Sequence, residues 1–80
     1  MRSVDLFDAD GNYRYGRIKE NGKIELFDQD GNYFYGTVKP DGRIDLYGTD
    51  GRYSYGRLKP NGGVELYNPD GSYSQGEVKS

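Results

Sequence analysis

The chain contains no cysteine, no histidine and no tryptophan. Without cysteine, no disulfide can staple this 80-residue fold and no thiolate can hold a metal or attack a substrate. Without histidine, the commonest general base is missing, and acid–base catalysis would fall to a buried carboxylate pair. No apolar run approaches the roughly 20 residues that a helix needs to cross a bilayer. Met1-Arg2-Ser3 leads straight into the pattern described next, so the expectation is a soluble chain with no signal peptide, used where it is made. Charge of one sign is also scarce. Eleven Lys and Arg interleave with 13 Asp and Glu for a net charge of −2, which supplies no basic patch for nucleic acid or an anionic membrane.

What the chain does have is repetition. VDLFDADGNYRYGRIKENGK, from Val4 to Lys23, is followed by IELFDQDGNYFYGTVKPDGR, IDLYGTDGRYSYGRLKPNGG and a shortened VELYNPDGSYSQGEVKS. The copies occupy about 4–23, 24–43, 44–63 and 64–80, and no linker separates them. A period this short marks one supersecondary unit that cannot bury its apolar face alone and must stack on its neighbours. One domain of four tandem repeats is expected.

Each copy carries two turn signals. Asp8-Ala9-Asp10-Gly11 recurs as Asp28-Gln29-Asp30-Gly31, Gly48-Thr49-Asp50-Gly51 and Asn68-Pro69-Asp70-Gly71. Lys19-Glu20-Asn21-Gly22 recurs as Lys39-Pro40-Asp41-Gly42 and Lys59-Pro60-Asn61-Gly62. In both, Pro presets φ at the first turn position and Gly takes a positive φ at the last. The spelling is that of a type I turn closed by a glycine bulge, a three-residue hairpin loop. The loops predict eight antiparallel strands in a meander, all β, with no room for a helix.

Those loops fix the register: Phe7 faces Tyr13, Val4 faces Gly16, Ile18 faces Ile24 and Arg17 faces Glu25. Alternation then sorts the faces. One face carries Val4, Ile24, Ile44 and Val64, then Leu6, Leu26, Leu46 and Leu66, then Ile18, Val38, Leu58 and Val78, with Gly16, Gly36, Gly56 and Gly76 among them. The other carries the charges Asp5, Arg17, Glu25, Arg43, Asp45, Arg57 and Glu65 together with Phe7, Tyr13, Tyr15, Phe27, Tyr33, Tyr35, Tyr47, Tyr53, Tyr55, Tyr67 and Tyr73. The aliphatic face is therefore the core. The ladder advances 22 residues every two strands while the repeat advances 20, a slip of two per repeat. Over four repeats this describes a closed eight-stranded up-and-down barrel with the glycines where strands bend. The alternative is an open coiled sheet or hairpin solenoid. It is favoured by the seam, where Glu77 would face Asp5 and Gln75 stands opposite Phe7 in place of a tyrosine.

Gly16-Arg17-Ile18-Lys19-Glu20-Asn21-Gly22-Lys23, continued by Ile24-Glu25-Leu26-Phe27, resembles the choline-binding or cell-wall-binding repeat. That resemblance implies hairpin architecture without the ligand, because the family's aromatic cages are built largely on tryptophan and this chain has none. The cage tryptophans are replaced here by Arg17, Thr37 and Arg57 and by Ile24, Ile44 and Val64. Phe27-Asp28-Gln29-Asp30-Gly31-Asn32 resembles the YD repeat of Rhs-type shells, and the spacing of Asp30-Gly31 to Gly36 is similar to MORN hairpins. The near-ideal loops and varied surface charge also resemble a de novo designed β-hairpin repeat protein. This resemblance implies a non-enzymatic scaffold with no natural ligand and no required partner.

The remaining candidate sites are few. Asp8-x-Asp10-Gly11-Asn12 and its copy from Asp28 look like the start of a calcium loop, but an EF-hand needs a bidentate Glu at its twelfth position, where Lys19 and Lys39 stand. Turn capping accounts for these acids, and no metal or cofactor is expected. No nucleophile–base constellation is present, so no enzyme is expected. One binding reading competes with the scaffold. Tyr15, Phe27, Tyr33, Tyr35, Tyr47, Tyr53, Tyr55 and Tyr67 form a band that offers stacking platforms to a glycan or quaternary ammonium, or a surface for weak self-association. Against it stands ordinary cross-strand stabilisation, about 0.2–1 kcal/mol per pair.

Overall fold

The computed structural model describes residues 2–79. Eight strands follow one another: β1 (Arg2–Asp8), β2 (Tyr13–Ile18), β3 (Lys23–Asp28), β4 (Tyr33–Val38), β5 (Arg43–Gly48), β6 (Tyr53–Leu58), β7 (Gly63–Tyr67) and β8 (Tyr73–Lys79). Each pairs antiparallel with the next, and β8 pairs antiparallel with β1 to close the barrel. The seam brings Val4 opposite Val78, Asp5 opposite Glu77 and Phe7 opposite Gln75. The sheet is thus closed, and the open array is overturned. The like-charged seam pair sits on the wet face, where screening makes it too weak to outweigh a whole ladder of backbone bonds.

All seven connections have one construction. In the first, the Gly11 amide donates to the Asp8 carbonyl at 3.1 Å, the Asp8 amide donates to the Asn12 carbonyl at 3.1 Å, and Gly11 adopts φ +83°. The Lys-type loops repeat it: the Gly22 amide donates to the Lys19 carbonyl at 3.0 Å and the Lys19 amide to the Lys23 carbonyl at 2.8 Å. Side chains reinforce the turns, as where Asp8 Oδ1 accepts the amides of Asp10 and Asn12 at 3.0 and 2.9 Å. In the Lys-type loops the bulge glycine also extends the next ladder. The Val38, Leu58 and Val78 amides donate to the carbonyls of Gly22, Gly42 and Gly62 at 2.7–2.8 Å.

Val4 lies across from Gly16, and Gly16 across from Leu26, so the register advances 22 residues over two strands against a period of 20. Repeated around four copies, that slip tilts the strands and stacks inward side chains in rings of four. The ring of Val4, Ile24, Ile44 and Val64 and the ring of Leu6, Leu26, Leu46 and Leu66 are sealed, each residue at 0–1 % exposure. The third aliphatic ring lies at the Lys-loop end. Ile18 and Val78 are buried there, but Val38 and Leu58 are only partly covered, because a terminal ring has packing on one side only.

Between the sealed rings lie Gly16, Gly36, Gly56 and Gly76. At each, the neighbouring strand comes so close that a Cβ would sit 1.7–1.8 Å from a backbone carbonyl oxygen, that of Glu25, Asp45, Glu65 or Asp5. Glycine is required here because the obstructing atom is main chain and no rotamer can relieve the overlap. The seam glycine meets the same constraint as the three internal ones. Substituting Gly36→Ala should therefore destabilise the barrel by more than about 3 kcal/mol, whereas Gly31→Ala should cost about 1 kcal/mol for its positive φ alone, since no atom lies within 4 Å of its added methyl. Urea denaturation of both variants checks this. Equal losses would mean that the strands are not bent together at Gly36.

Candidate functional site: the aromatic band and the Asp-loop end

The outer face carries a continuous ladder of eleven rings. It begins at Phe7 and Tyr13, whose centroids lie 4.9 Å apart, and steps along β2 from Tyr13 to Tyr15 at 5.6 Å. It then crosses to Phe27 on β3 at 6.1 Å. The same three moves repeat through Tyr33, Tyr35, Tyr47, Tyr53, Tyr55 and Tyr67 to Tyr73, with every centroid spacing between 4.9 and 6.2 Å. Same-strand neighbours stack near-parallel at 22–25°, and cross-strand pairs tilt by 30–42°. These are offset and tilted geometries that ring quadrupoles favour. The proposed binding residues Tyr15, Phe27, Tyr35, Tyr47, Tyr53, Tyr55 and Tyr67 are exposed, as is Phe7, and Tyr33 is half-buried. The structure brings them into one ribbon rather than one pocket.

One ring in each of the first three repeats is tied down by its hydroxyl. Tyr13 donates to Asp5 Oδ1 at 2.6 Å, Tyr53 to Asp45 Oδ1 at 2.5 Å and Tyr33 to Glu25 Oε1 at 3.5 Å. A lysine also reaches the acid at three positions around the barrel. Lys19 reaches Glu25 at 2.9 Å, Lys39 reaches Asp45 at 3.1 Å and Lys59 reaches Glu65 at 2.5 Å. Backbone register alone suggests arginine partners. Arg17 does contact Glu25 at 3.2 Å, but the lysine six residues before the acid is the recurrent cation. The tilt of the strands makes this diagonal approach short.

These contacts set the charge states. Tyr53 is pushed up to about 12, chiefly by its bond to Asp45, and Tyr13 is raised in the same way by Asp5. Asp45 is held below its ordinary value by Tyr53 and then Lys39, Glu25 chiefly by Lys19, and Glu65 chiefly by Lys59. Carboxylates lowered in the folded state support the barrel fully above their ordinary values, 3.8 for Asp and 4.5 for Glu, and withdraw that support as pH falls through the lowered ones. Raised tyrosines act in the opposite sense, supporting the fold below pH 10 and losing that contribution as pH rises through about 12 for Tyr53.

The Asp-loop end holds what sequence reasoning missed. Two further rings point inward here, Arg14, Phe34, Ser54 and Ser74, then Asp8, Asp28, Gly48 and Asn68. Unlike the aliphatic rings, these two rings mix charged, aromatic and small polar residues from copy to copy. The Arg14 guanidinium lies 4.5 Å from the centroid of the Phe34 ring, and Nη1 donates to Asn68 Oδ1 at 3.3 Å. Asn68 Oδ1 also accepts from Ser54 at 2.8 Å, while its Nδ2 donates to Ser72 and Ser74 Oγ at 3.0 and 3.2 Å. Gly48 stands opposite Phe34 because an added Cβ would press on the ring at 3.3 Å. Burial pulls the Arg14 pKa down while Asp28, Asp8 and Asp70 pull it up, and an arginine so placed stays charged. The parity of Arg14 with Gly16 and Ile18 is the signal that places it inside. A small polar hollow of about 250 Å³ remains above this plug, lined by Arg14, Phe34, Thr49, Asn68 and Asp70 among others.

The Asp-rich loops bind their own backbone. Asp8 and Asp28 each accept two amides and the Asn side-chain amide four residues on. Among the described residues, no group of three metal-ligating side chains converges.

No family model matches the chain, and no curated protein matches it significantly. One solved structure is similar: a de novo designed fluorescence-activating β-barrel, at a TM-score of 0.60 and 20% identity, over 98% of this chain and 88% of that one. The likeness is one of fold. It supports the β-barrel, and the resemblance to choline-binding, MORN or YD repeats is not shown.

The Tyr53–Asp45 bond makes a direct prediction. In a titration of phenolate absorbance, subtracting the Tyr53→Phe curve from the parent curve should leave one ionisation near 12. In an Asp45→Asn background that ionisation should move back toward 10. Circular dichroism on the same samples marks the range over which the barrel is folded. A parent midpoint near 10 within that range would exclude the bond.

Proposed function

We propose that this chain is a non-enzymatic β-barrel scaffold of designed origin, whose purpose is to hold a rigid closed sheet and present its outer surface and loops. The observation that carries the reading is the filled interior. Two successive aliphatic rings stand at 0–1 % exposure, with backbone in contact at all four glycines between them. A barrel packed in this way has no internal chamber in which a substrate meets a catalytic group. Designed origin is supported by the uniformity of the parts, seven loops of one construction and four glycines with the same 1.7–1.8 Å constraint, and by the likeness to a designed barrel. Fluorescence activation is a property of that neighbour and is not transferred here. The hollow at the Asp-loop end falls below the roughly 300 Å³ at which small-molecule pockets begin, and Arg14 and Phe34 plug its floor.

A second reading rests on the band. Tyr15, Phe27, Tyr33, Tyr35, Tyr47, Tyr53, Tyr55 and Tyr67 supply stacking area in one line for a glycan or quaternary ammonium, or for weak contact between copies. Titrating choline or a methyl glycoside while recording amide shifts distinguishes the two readings. Saturable shifts at tyrosines of adjacent repeats would favour the binder, and a flat response the scaffold.

The scaffold reading predicts indifference to where the chain is opened. Lys79 already pairs with Ser3 as Lys19 meets Lys23 across its loop. Joining Lys79 to Ser3 through Pro-Asn-Gly and opening the chain between Pro40 and Asp41 should give a barrel within about 1–2 kcal/mol of the parent in urea, because one three-residue closure replaces another. A permuted chain that fails to unfold cooperatively would count against the scaffold.

A further inference from the structure

The seam breaks the outer pattern twice at one place. At the three internal equivalents a tyrosine faces a ring: Tyr15 faces Phe27, Tyr35 faces Tyr47 and Tyr55 faces Tyr67. At the seam Gln75 faces Phe7. The next pair outward is Arg17 with Glu25, Thr37 with Asp45 and Arg57 with Glu65 internally, but Glu77 with Asp5 at the seam. Among the described residues the ring ladder ends at Phe7 on one side and Tyr73 on the other. Two surface clefts, of about 450 and 710 Å³, share Phe7, Gly76 and Glu77 as lining. Phe7 is 51% exposed between them.

The missing ring and the reversed charge point to the same ligand chemistry. Gln75 puts an amide side chain, and no ring, opposite the exposed face of Phe7. Three carboxylates of the outer face, those of Asp5, Glu65 and Glu77, line the two clefts against two ammonium groups. One of these, Lys59, is already held by Glu65, and the other, Lys79, lines the wider cleft. We propose that the seam cleft binds an aromatic monocation, a ring that stacks on Phe7 to bridge the interrupted ladder while its ammonium group faces Asp5 and Glu77. Ring stacking and cation–carboxylate attraction act together there, and at no internal rung does a ring gap coincide with a like-charged acid pair. The site goes beyond the scaffold reading, which stands whether or not the cation binds.

Tyramine is the probe, with p-cresol as its uncharged counterpart, and amide and side-chain NMR shifts are the readout. Tyramine should give saturable shifts at Asp5, Phe7, Gly76 and Glu77, leaving the Tyr55–Tyr67 rung nearly still. p-Cresol should bind about fivefold to tenfold more weakly, in keeping with the loss of one partly exposed charge interaction. Gln75→Tyr, which supplies the missing ring at a position that holds tyrosine in the other three repeats, should weaken tyramine about tenfold or more. Glu77→Arg should weaken it severalfold, with the difference shrinking at high salt. If Gln75→Tyr does not fold, Phe7→Thr reads the same contact and should show the same loss. Equal shifts at the seam and at the Tyr55–Tyr67 rung, unchanged affinity in the ring variant, or equal binding of p-cresol would each overturn the proposal.

Discussion

Main chain against main chain at four glycines is the contact on which the rest of this barrel depends. Where Gly16 passes Glu25, and its three equivalents pass theirs, two strands approach more closely than any side chain permits. That approach lets each strand coil sharply, and sharp coiling is what an eight-stranded sheet needs to meet its own edge at so small a radius. Removing the methyl from one ring of positions also leaves the Leu ring and the Val/Ile ring to fill the centre from either side. Closure and core packing are thus one constraint expressed twice, first in backbone geometry and then in side-chain volume.

Closure in turn explains how a chain so poor in hydrophobic residues can fold. Only 32% of its residues are hydrophobic, and several of those are rings on the outside. An open sheet of this length would leave two edges unpaired and half its apolar face wet. The closed one pairs every strand on both sides and turns the entire aliphatic set inward. The Lys–acid–Tyr contacts outside then act as a second, weaker hoop over the same diagonal, responsive to pH at both extremes where the inner one is not.

Turn chemistry made most of the architecture legible. Asp-Gly and Asn-Gly at fixed offsets determine loop length, loop length determines register, and the two-residue slip per repeat determines closure. None of these steps needs knowledge of long-range contacts. The same logic yielded the sealed rings and the aromatic pairs. It did not yield the same-strand stacks such as Tyr13 on Tyr15, which turn isolated pairs into a ladder, nor the reach of Lys59 to Glu65 across the tilt. It also passed over the Asp-loop end, because arginine and asparagine read as surface residues until a structure shows Arg14 lying over Phe34 and Asn68 satisfied on every side. The pattern of strands is written in what the repeats share, whereas the ends are written in what they do not.

That difference at the Asp-loop end has a consequence for strand choice. Four near-identical repeats invite a hairpin to dock one whole period out of place, an error that preserves every loop, both faces and the outer charges. Inside, such a slip would set Phe34 against Asn68 rather than Gly48, crowding the ring against an amide and stranding the polar atoms that Ser54 and Arg14 now satisfy. The polar plug is thus the part of the interior that tells one repeat from another, where the aliphatic rings do not.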